Sequence, residues 1–100
     1  MRFRFRSKKL RDLYTDEKGS SKYPAEVVDA FFNATGIIDS APDERDLWAL
    51  ASLRFEKLSG KRKGQHSLRL NKQWRLIVTF QTDEAGKYLV VEAIENHYKK

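Results

Sequence analysis

Residues 66–80 read HSLRLNKQWRLIVTF, and this stretch decides the fold because apolar and polar residues alternate along it with a period of two. The alternation predicts two antiparallel strands joined by a turn at the polar tripeptide Asn-Lys-Gln. In the register that we predict, Leu70 lies opposite Trp74 and Leu68 lies opposite Leu76, so the large apolar side chains share one face. A shift of one residue would mix the two faces, which makes this register the favoured one.

The same register places Arg69 directly opposite Arg75 on the other face of the hairpin. Like charges that oppose each other across two strands are mildly destabilising. Their adjacency therefore needs an explanation, and an anion bound between them would supply it. A phosphate group is the anion that we expect.

The segment before the hairpin is predicted to form one strand followed by helices. Residues 2–6 alternate arginine with phenylalanine, which indicates a half-buried strand, and Ser7 can cap a first helix. Pro24 suits the start of a second helix. The apolar stripe of that helix, at helical spacing, contains Val27, Phe31, Ala34 and Ile38. Residues 42–44 open a short third helix or turn.

Strands are predicted on both sides of the hairpin. Residues 53–59 form a plausible strand, residues 60–64 (GKRKG) a polar loop bounded by glycines, and residues 88–96 a long strand that follows a turn at 82–87. We therefore expect a single α+β domain spanning residues 1–100. Two or three helices cover one face of a mainly antiparallel sheet of four to five strands, and the open face carries the basic side chains.

Several side chains have an expected structural place. Trp48 and Trp74 are predicted to belong to the core, and His66, at the start of a strand, to be a surface histidine. Glu56 is expected to form a salt bridge with Lys57 or Arg54, although it is also a candidate proton acceptor.

Composition limits the classes of function. The chain of 100 residues has a formal net charge of +6, and its positive charge is concentrated in two segments. Residues 1–11 hold six Lys/Arg and no acid, residues 12–50 hold nine Asp/Glu against three Lys/Arg, and residues 54–75 hold eight Lys/Arg against one Glu. This distribution indicates an acidic partner.

The absence of cysteine excludes thiolate catalysis and cysteine-based zinc sites, and it suits a reducing compartment. The two histidines have no spacing typical of a metal site, so we expect no metal and no cofactor. No apolar run reaches the ~20 residues of a membrane span, and the N-terminus lacks the apolar stretch of a signal peptide. We expect a cytoplasmic protein without contact to a membrane.

Residues 54–76, RFEKLSGKRKGQHSLRLNKQWRL, resemble the central signature of HigB-type toxins of the RelE-like superfamily, the plasmid maintenance killer proteins. The final residues, VVEAIENHYKK, are similar to the closing strand of that family. The resemblance covers about the last half of the chain. It implies a RelE-like fold, ribosome-dependent cleavage of mRNA and neutralisation by a helix-turn-helix antitoxin of the HigA type.

The resemblance also implies roles for individual residues. Arg75 matches the arginine that stabilises the phosphate transition state, and His97 and Tyr98 match the C-terminal residues implicated in proton transfer. Where some members carry a histidine and a lysine, this chain has Glu56 and Ser59, and the order Asn-His-Tyr differs from the usual Asp-Tyr-His. The identity of the general base is therefore open between His97 and Glu56.

RNA carries its own nucleophile, the 2′-hydroxyl, so such a reaction requires aligned groups, two proton transfers and stabilising cations, but no metal. The candidate catalytic residues are Arg75, His97, Tyr98 and Glu56. The candidate RNA-binding residues are Arg54, Lys57, Lys61, Arg62, Lys63 and Arg69. Two other functions remain: a non-nucleolytic toxin of the same fold, such as a ParE-like gyrase inhibitor, and a plain nucleic-acid-binding module that binds phosphates without reacting.

Overall fold

The strands form one five-stranded sheet with the second strand of the predicted hairpin at its centre. The computed structural model describes residues 1–96. The strands are β1 (Phe3–Phe5), β2 (Glu56–Lys57), β3 (Gln65–Arg69), β4 (Trp74–Asp83) and β5 (Gly86–Asn96). Their order is β1-β5-β4-β3-β2, with β1 parallel to β5 and the other neighbours antiparallel. The predicted α+β class with a mainly antiparallel sheet is confirmed.

Three helices connect β1 to β2. They are α1 (Lys8–Asp16), α2 (Ala25–Ser40) and α3 (Glu44–Ala49). Ser7 caps α1 as predicted, because its hydroxyl accepts the backbone N–H of Leu10 at 3.2 Å. Asp43 and Asp46 form a capping box at the start of α3, which explains how so short a helix begins at a defined residue.

The core lies between the helices and one face of the sheet. The predicted stripe of α2 is buried, since Val27, Phe31 and Ile38 are each 0 % exposed. These side chains join one apolar cluster with Leu70, just after β3, and with the inward residues of β3, β4 and β5: Leu68, Leu76, Val78, Leu89 and Val91. Burial of a large apolar side chain contributes about 1.5–3 kcal/mol. This packing fixes which face of the sheet is turned towards the helices.

We call the other side of the sheet the open face. Strand parity assigns to it Arg2, Arg4, Arg6, Arg69, Arg75 and Glu95. The tight β4–β5 turn lies at residues 84–85, inside the predicted turn, and Gly86 (φ 114°) supplies the backbone conformation that other residues rarely adopt. None of the helices within residues 1–96 combines the length and the apolar content needed to cross a bilayer.

The strand predicted at residues 53–59 is much shorter in the structure. Only Glu56–Lys57 pairs with β3, because Leu53 ends a 3₁₀ turn and Arg54 adopts a left-handed conformation (φ 44°). A left-handed residue turns the chain out of the extended path, so pairing begins only after it.

Two predictions about side-chain burial are wrong, and a third holds in part. Trp48 is 47 % exposed, because in the short α3 it is Leu47 that faces the core. Trp74 packs against the core cluster as predicted but is only partly buried. His66 is 9 % exposed rather than a surface residue, because it lies on the same face of β3 as Leu68. Its ring stacks on Phe55 at 5.2 Å, and this burial lowers the pKa of His66 below its usual value.

Candidate active site on the open face

The predicted hairpin register is confirmed and places two arginines side by side. Leu68 lies opposite Leu76 and Arg69 lies opposite Arg75, while the Leu70 N–H donates to the Trp74 carbonyl at 2.9 Å. The turn is held by Asn71, whose side-chain oxygen accepts the backbone N–H groups of residues 73 and 74 at 2.8 and 2.7 Å. The turn chemistry and the apolar face therefore select the same register.

A third residue of the open face lies beside the arginine pair. Glu95 on β5 is directly opposite Arg75 on β4, so Arg75 stands between a cation on one neighbouring strand and an acid on the other. Side chains opposed across antiparallel strands have Cβ atoms about 4.5–5.5 Å apart, which is within reach of an ion pair. The cross-strand geometry therefore offers Arg75 a carboxylate partner.

A pocket of about 400 Å³ opens at this point of the sheet. It is lined by Glu56, Leu58, Arg62, Ser67, Arg75, Ile77 and Glu95. Of the residues that the sequence pointed to, the pocket brings together Glu56, Arg62 and Arg75. It combines two cations and two carboxylates with the apolar side chains of Leu58 and Ile77, as a partly desolvated site for a charged ligand requires.

The carboxylate of Glu95 is bound to Arg62 rather than to Arg75. Both terminal nitrogens of Arg62 donate to it, each at 2.7 Å, and Arg62 Nε donates to Gln65 at 2.8 Å. This bidentate contact raises the pKa of the Arg62 guanidinium above its usual value. All three nitrogens of Arg62 are thus engaged within the protein.

Arg75 is left with hydrogen-bonding capacity to spare. It forms no ion pair within residues 1–96, and its Nη1 atom is buried without a hydrogen-bond partner there. A buried polar atom without a partner costs about 1–3 kcal/mol, and an arginine cannot reduce this cost by losing its proton. Arg75 is therefore the cation of this pocket that an incoming anion can satisfy.

The other predicted cations do not line the pocket. Lys61 and Lys63 are exposed in and just after the 3₁₀ turn Gly60–Arg62, and Arg54 is exposed before β2. Lys57 lies opposite His66 and so faces the helix side of the sheet. Arg69 is half-buried beside Arg75.

Glu56 lies on β2, directly opposite Ser67 of β3. It is exposed, and within residues 1–96 it forms no salt bridge with Lys57 or Arg54, contrary to the structural expectation. His97 and Tyr98, the remaining predicted catalytic residues, lie outside the described residues. The described part of β5 ends at Asn96, opposite Trp74 and one position beyond Glu95.

Sequence reasoning missed Glu95, because no local pattern connects it to Arg75. The hairpin register alone does not show which residue of β5 lies opposite Arg75. That position also depends on the β4–β5 register, which includes an irregularity between Ile77 and Val78. That irregularity shifts the parity of β5 by one residue. Alternation along β5 alone therefore does not connect Glu95 to Arg75.

The open face carries a second group of arginines in β1 and directly beside it, which we call the β1 arginines, and each of these has an acidic partner. Arg2 donates to both oxygens of Asp83 at 2.8 and 3.0 Å, and Arg4 reaches the same carboxylate at 3.4 Å. Arg6 binds both oxygens of Glu92 at 2.9 Å. The hydrogen bonds from Arg2, with the nearby charge of Arg4, lower the pKa of Asp83 to about 2, and Arg6 lowers the pKa of Glu92 below its usual value.

Within residues 1–96 there is no group of three or more His, Cys, Asp or Glu side chains arranged to hold a metal ion. The pocket lining itself provides charged side chains and proton acceptors. They suit the binding and polarisation of a phosphodiester.

Comparison with known proteins gives a consistent set of relatives. Residues 3–92 match a family model described as the RelE-like toxin of type II toxin–antitoxin system HigB. The chain is 40 % identical over 77 residues to Toxin HigB-1 of Vibrio cholerae serotype O1, an alignment that covers 77 % of this chain and 81 % of that protein.

Two solved structures illustrate the similarity in fold. The YoeB/ParE toxin from Agrobacterium tumefaciens superposes with a TM-score of 0.65 at 16 % identity, covering 98 % of this chain and 100 % of that one. The archaeal RelE–RelB complex from Pyrococcus horikoshii OT3 gives a TM-score of 0.58 at 16 % identity, covering 99 % and 97 % of the two chains. At this level of identity the structures show a common fold.

Proposed function

The chain belongs to the HigB-like family of RelE-like toxins of type II toxin–antitoxin systems, and on this premise we propose that it is a metal-independent endoribonuclease that cleaves translated mRNA on the ribosome. The observation that carries the proposal is the half-buried guanidinium of Arg75, which lines an open-face pocket and has no ionic partner within residues 1–96.

The proposed reaction is attack of an RNA 2′-hydroxyl oxygen on the adjacent phosphorus. The 2′-oxygen–phosphorus bond forms, the phosphorus–5′-oxygen bond breaks, and the products are a 2′,3′-cyclic phosphate and a 5′-hydroxyl. One proton leaves the 2′-hydroxyl and another is delivered to the 5′-oxygen. The enzyme has to move these protons and stabilise the negative charge that builds up on the phosphorane.

Arg75 is suited to stabilise that charge. It lies on the central strand of the sheet, and the acid directly opposite it, Glu95, is bound by Arg62, so that Arg75 Nη1 has no acceptor within residues 1–96. A preorganised donor aimed at developing charge contributes about 10²- to 10³-fold in rate. Arg69, directly opposite, adds positive charge that favours the anionic phosphodiester.

Glu56 is suited to accept the proton of the 2′-hydroxyl. It lines the same pocket as Arg75 and is not neutralised by Lys57 or Arg54 within residues 1–96. We propose His97 as the second proton-transfer group, either the acid that protonates the 5′-oxygen or an alternative base, since an imidazole titrates near neutral pH. Tyr98 is proposed to stack on a base or to donate a hydrogen bond.

The remaining predicted cations are proposed to hold the RNA backbone. Arg54, Lys61, Lys63 and Arg69 belong to the segments that form or flank the pocket, and they form no ion pairs within residues 1–96. Lys57 lies on the helix side of the sheet, so we do not propose it as an RNA contact. Arg62 lines the pocket, but its guanidinium is hydrogen-bonded to Glu95. Contacts of this kind position a nucleic acid and make its binding dependent on salt.

The proposed partners follow from the family. We propose neutralisation by a HigA-like helix-turn-helix antitoxin, and action in the cytoplasm, where mRNA is translated on ribosomes. The fold by itself is compatible with other toxic mechanisms, since one of the solved structures that share it is described as a YoeB/ParE toxin. The test must therefore separate cleavage of mRNA from a block of gyrase.

The test is to induce the gene in a bacterium and to map mRNA 5′ ends, comparing the unmutated chain with Arg75→Ala and Arg4→Ala. Arg4 is an exposed arginine of the same face that is paired with Asp83. We expect new ends inside translated codons with the unmutated chain and with Arg4→Ala, and their loss with Arg75→Ala.

Intact mRNA together with a supercoiling defect would favour the gyrase inhibitor. Harmless expression of a folded protein with salt-dependent RNA binding would favour a binding module. Cleavage that persists in Arg75→Ala would remove Arg75 from the proposed mechanism.

A further inference from the structure

The availability of Arg75 depends on which arginine binds Glu95. The β4–β5 register places the Glu95 side chain directly opposite Arg75, and both residues line the same pocket. Without a competitor, two opposite charges in this position form a cross-strand pair. An Arg75 paired in this way would carry a neutralised charge and would bind a phosphate weakly.

Arg62 is the competitor. It donates two parallel hydrogen bonds of 2.7 Å to Glu95, one to each carboxylate oxygen. This is the bidentate geometry in which arginine and carboxylate interact most strongly. The two residues are 33 positions apart in the chain. Their contact therefore joins the 3₁₀ turn Gly60–Arg62 to strand β5.

A second contact fixes the orientation of Arg62. Its Nε donates to the side-chain oxygen of Gln65 at 2.8 Å, which leaves the two terminal nitrogens directed at Glu95. Arg62 thus has no free donor nitrogen, whereas Arg75 has a buried nitrogen without an acceptor within residues 1–96. Of the two arginines in this pocket, Arg62 therefore uses every nitrogen in a hydrogen bond, whereas Arg75 does not.

We propose that Arg62 is a positioning residue: by holding the Glu95 carboxylate, it keeps Arg75 free to bind the scissile phosphate. This inference rests on the proposed function and adds Glu95 to the site as the group that Arg62 controls. With Arg62 present, the three side chains carry a net charge of +1, whereas without it Glu95 neutralises Arg75 and the net charge falls to zero.

The test is a double-mutant cycle of Arg62→Met and Glu95→Gln, read out as single-turnover cleavage of ribosome-bound mRNA at saturating enzyme. Methionine retains an aliphatic stem at position 62 and removes the charge. We expect Arg62→Met to reduce the rate at least about tenfold, because the charge-stabilising donor is engaged by Glu95. Adding Glu95→Gln removes that competing carboxylate, so the double variant should recover most of the lost rate.

The matched control is Lys63→Met, which removes one positive charge from the neighbouring, exposed position. There we expect weaker binding of mRNA, and Glu95→Gln should change the rate by the same factor in Lys63→Met as in the unmutated chain. If Arg62 bound RNA itself, or only held the turn in place, Glu95→Gln would not restore Arg62→Met, and the inference would be overturned.

A structural measurement keeps the inference separate from the proposed function. In a crystal structure of Arg62→Met we expect the Glu95 carboxylate within hydrogen-bond distance of the Arg75 guanidinium. An Arg75 without that contact contradicts the inference even if the protein cleaves mRNA. If the unmutated chain does not cleave mRNA, the proposed function fails, and the structure of Arg62→Met still decides whether Arg62 controls Glu95.

Discussion

The β1 arginines and those of the β3–β4 hairpin share one face of the sheet but differ in their surroundings. Arg2, Arg4 and Arg6 reach carboxylates of β4 or β5. Arg75 instead has Arg69 on one side and, on the other, a glutamate already bound elsewhere. The same residue type on the same face is thus neutralised in one region and left available in the other.

The difference shows that exposure and charge alone do not tell which arginine has a partner within the protein. The β1 arginines are the more exposed group, yet their hydrogen bonds are directed at Asp83 and Glu92. They hold the parallel edge strand to its neighbours. Arg75 is more buried and lacks such a partner within residues 1–96, and that combination is the basis of our proposal that it binds an anion from outside the protein.

The largest expected effect follows from replacing an arginine of each region by methionine. Arg75→Met should reduce cleavage of mRNA by about 10²- to 10³-fold, yet raise the free energy of unfolding by about 1 kcal/mol, because it removes a buried donor that lacks a partner. Arg6→Met should lower the free energy of unfolding and leave cleavage within a few-fold of the unmutated rate. Cleavage assays measure the change in rate, and urea denaturation measures the change in stability. A loss of stability in Arg75→Met would contradict the difference that we describe between the two groups of arginines.

A smaller effect is expected from the acid that neutralises Arg6. The Glu92 side chain accepts from Arg6 and also from the Thr79 hydroxyl at 2.7 Å. Glu92→Ala leaves both donors without this acceptor, so we expect the free energy of unfolding to fall by about 1 kcal/mol. Cleavage should stay within a few-fold, since Glu92 is not part of the pocket lining. Unfolding curves of the single variants and of Arg6→Met/Glu92→Ala measure whether the two residues act as a pair.

The smallest effect concerns the pH dependence of the β1 contacts. Arg2 lowers the pKa of Asp83 from 3.8 to about 2. A carboxyl whose pKa is lower in the folded state contributes stability that is present above its ordinary pKa and is lost as the pH falls through the folded value. Between about pH 4 and about pH 2, the unmutated chain should therefore lose more stability than Asp83→Asn.

Urea midpoints across that pH range measure the loss. Glu84→Gln, in the same turn, is the control, because Glu84 forms no ion pair within residues 1–96. A chain whose acid sensitivity is unchanged by Asp83→Asn would show that the Arg2 contact does not contribute to folding.

The hairpin was predictable because its information is local. The alternation within residues 66–80 admits one register that puts Leu68 and Leu76 on a common face, and that register sets Arg69 opposite Arg75. The main core helix was predictable for the same reason, since its apolar spacing extends from Val27 to Ile38, about three turns. Helix and strand periods are short compared with these segments, so few residues suffice to identify them.

Burial of single side chains was harder to predict. His66 was assigned to the surface by its residue type and its place at a strand start, although strand parity put it on the face of Leu68. Trp48 was assigned to the core by its hydrophobicity, but the short α3 turns Leu47 inward instead. In both cases the position within the element, rather than the residue type, decided burial.

By itself the sequence determined the class of fold, the hairpin register and the pairing of two arginines on one face, because each depends on residues close together in the chain. Only the tertiary structure decided which arginine has a partner. The acids concerned, Asp83, Glu92 and Glu95, reach arginines from other elements of the chain. Glu95 in particular is bound by Arg62, which comes from a turn outside the hairpin, and competition among distant charges depends on distances that no local pattern contains.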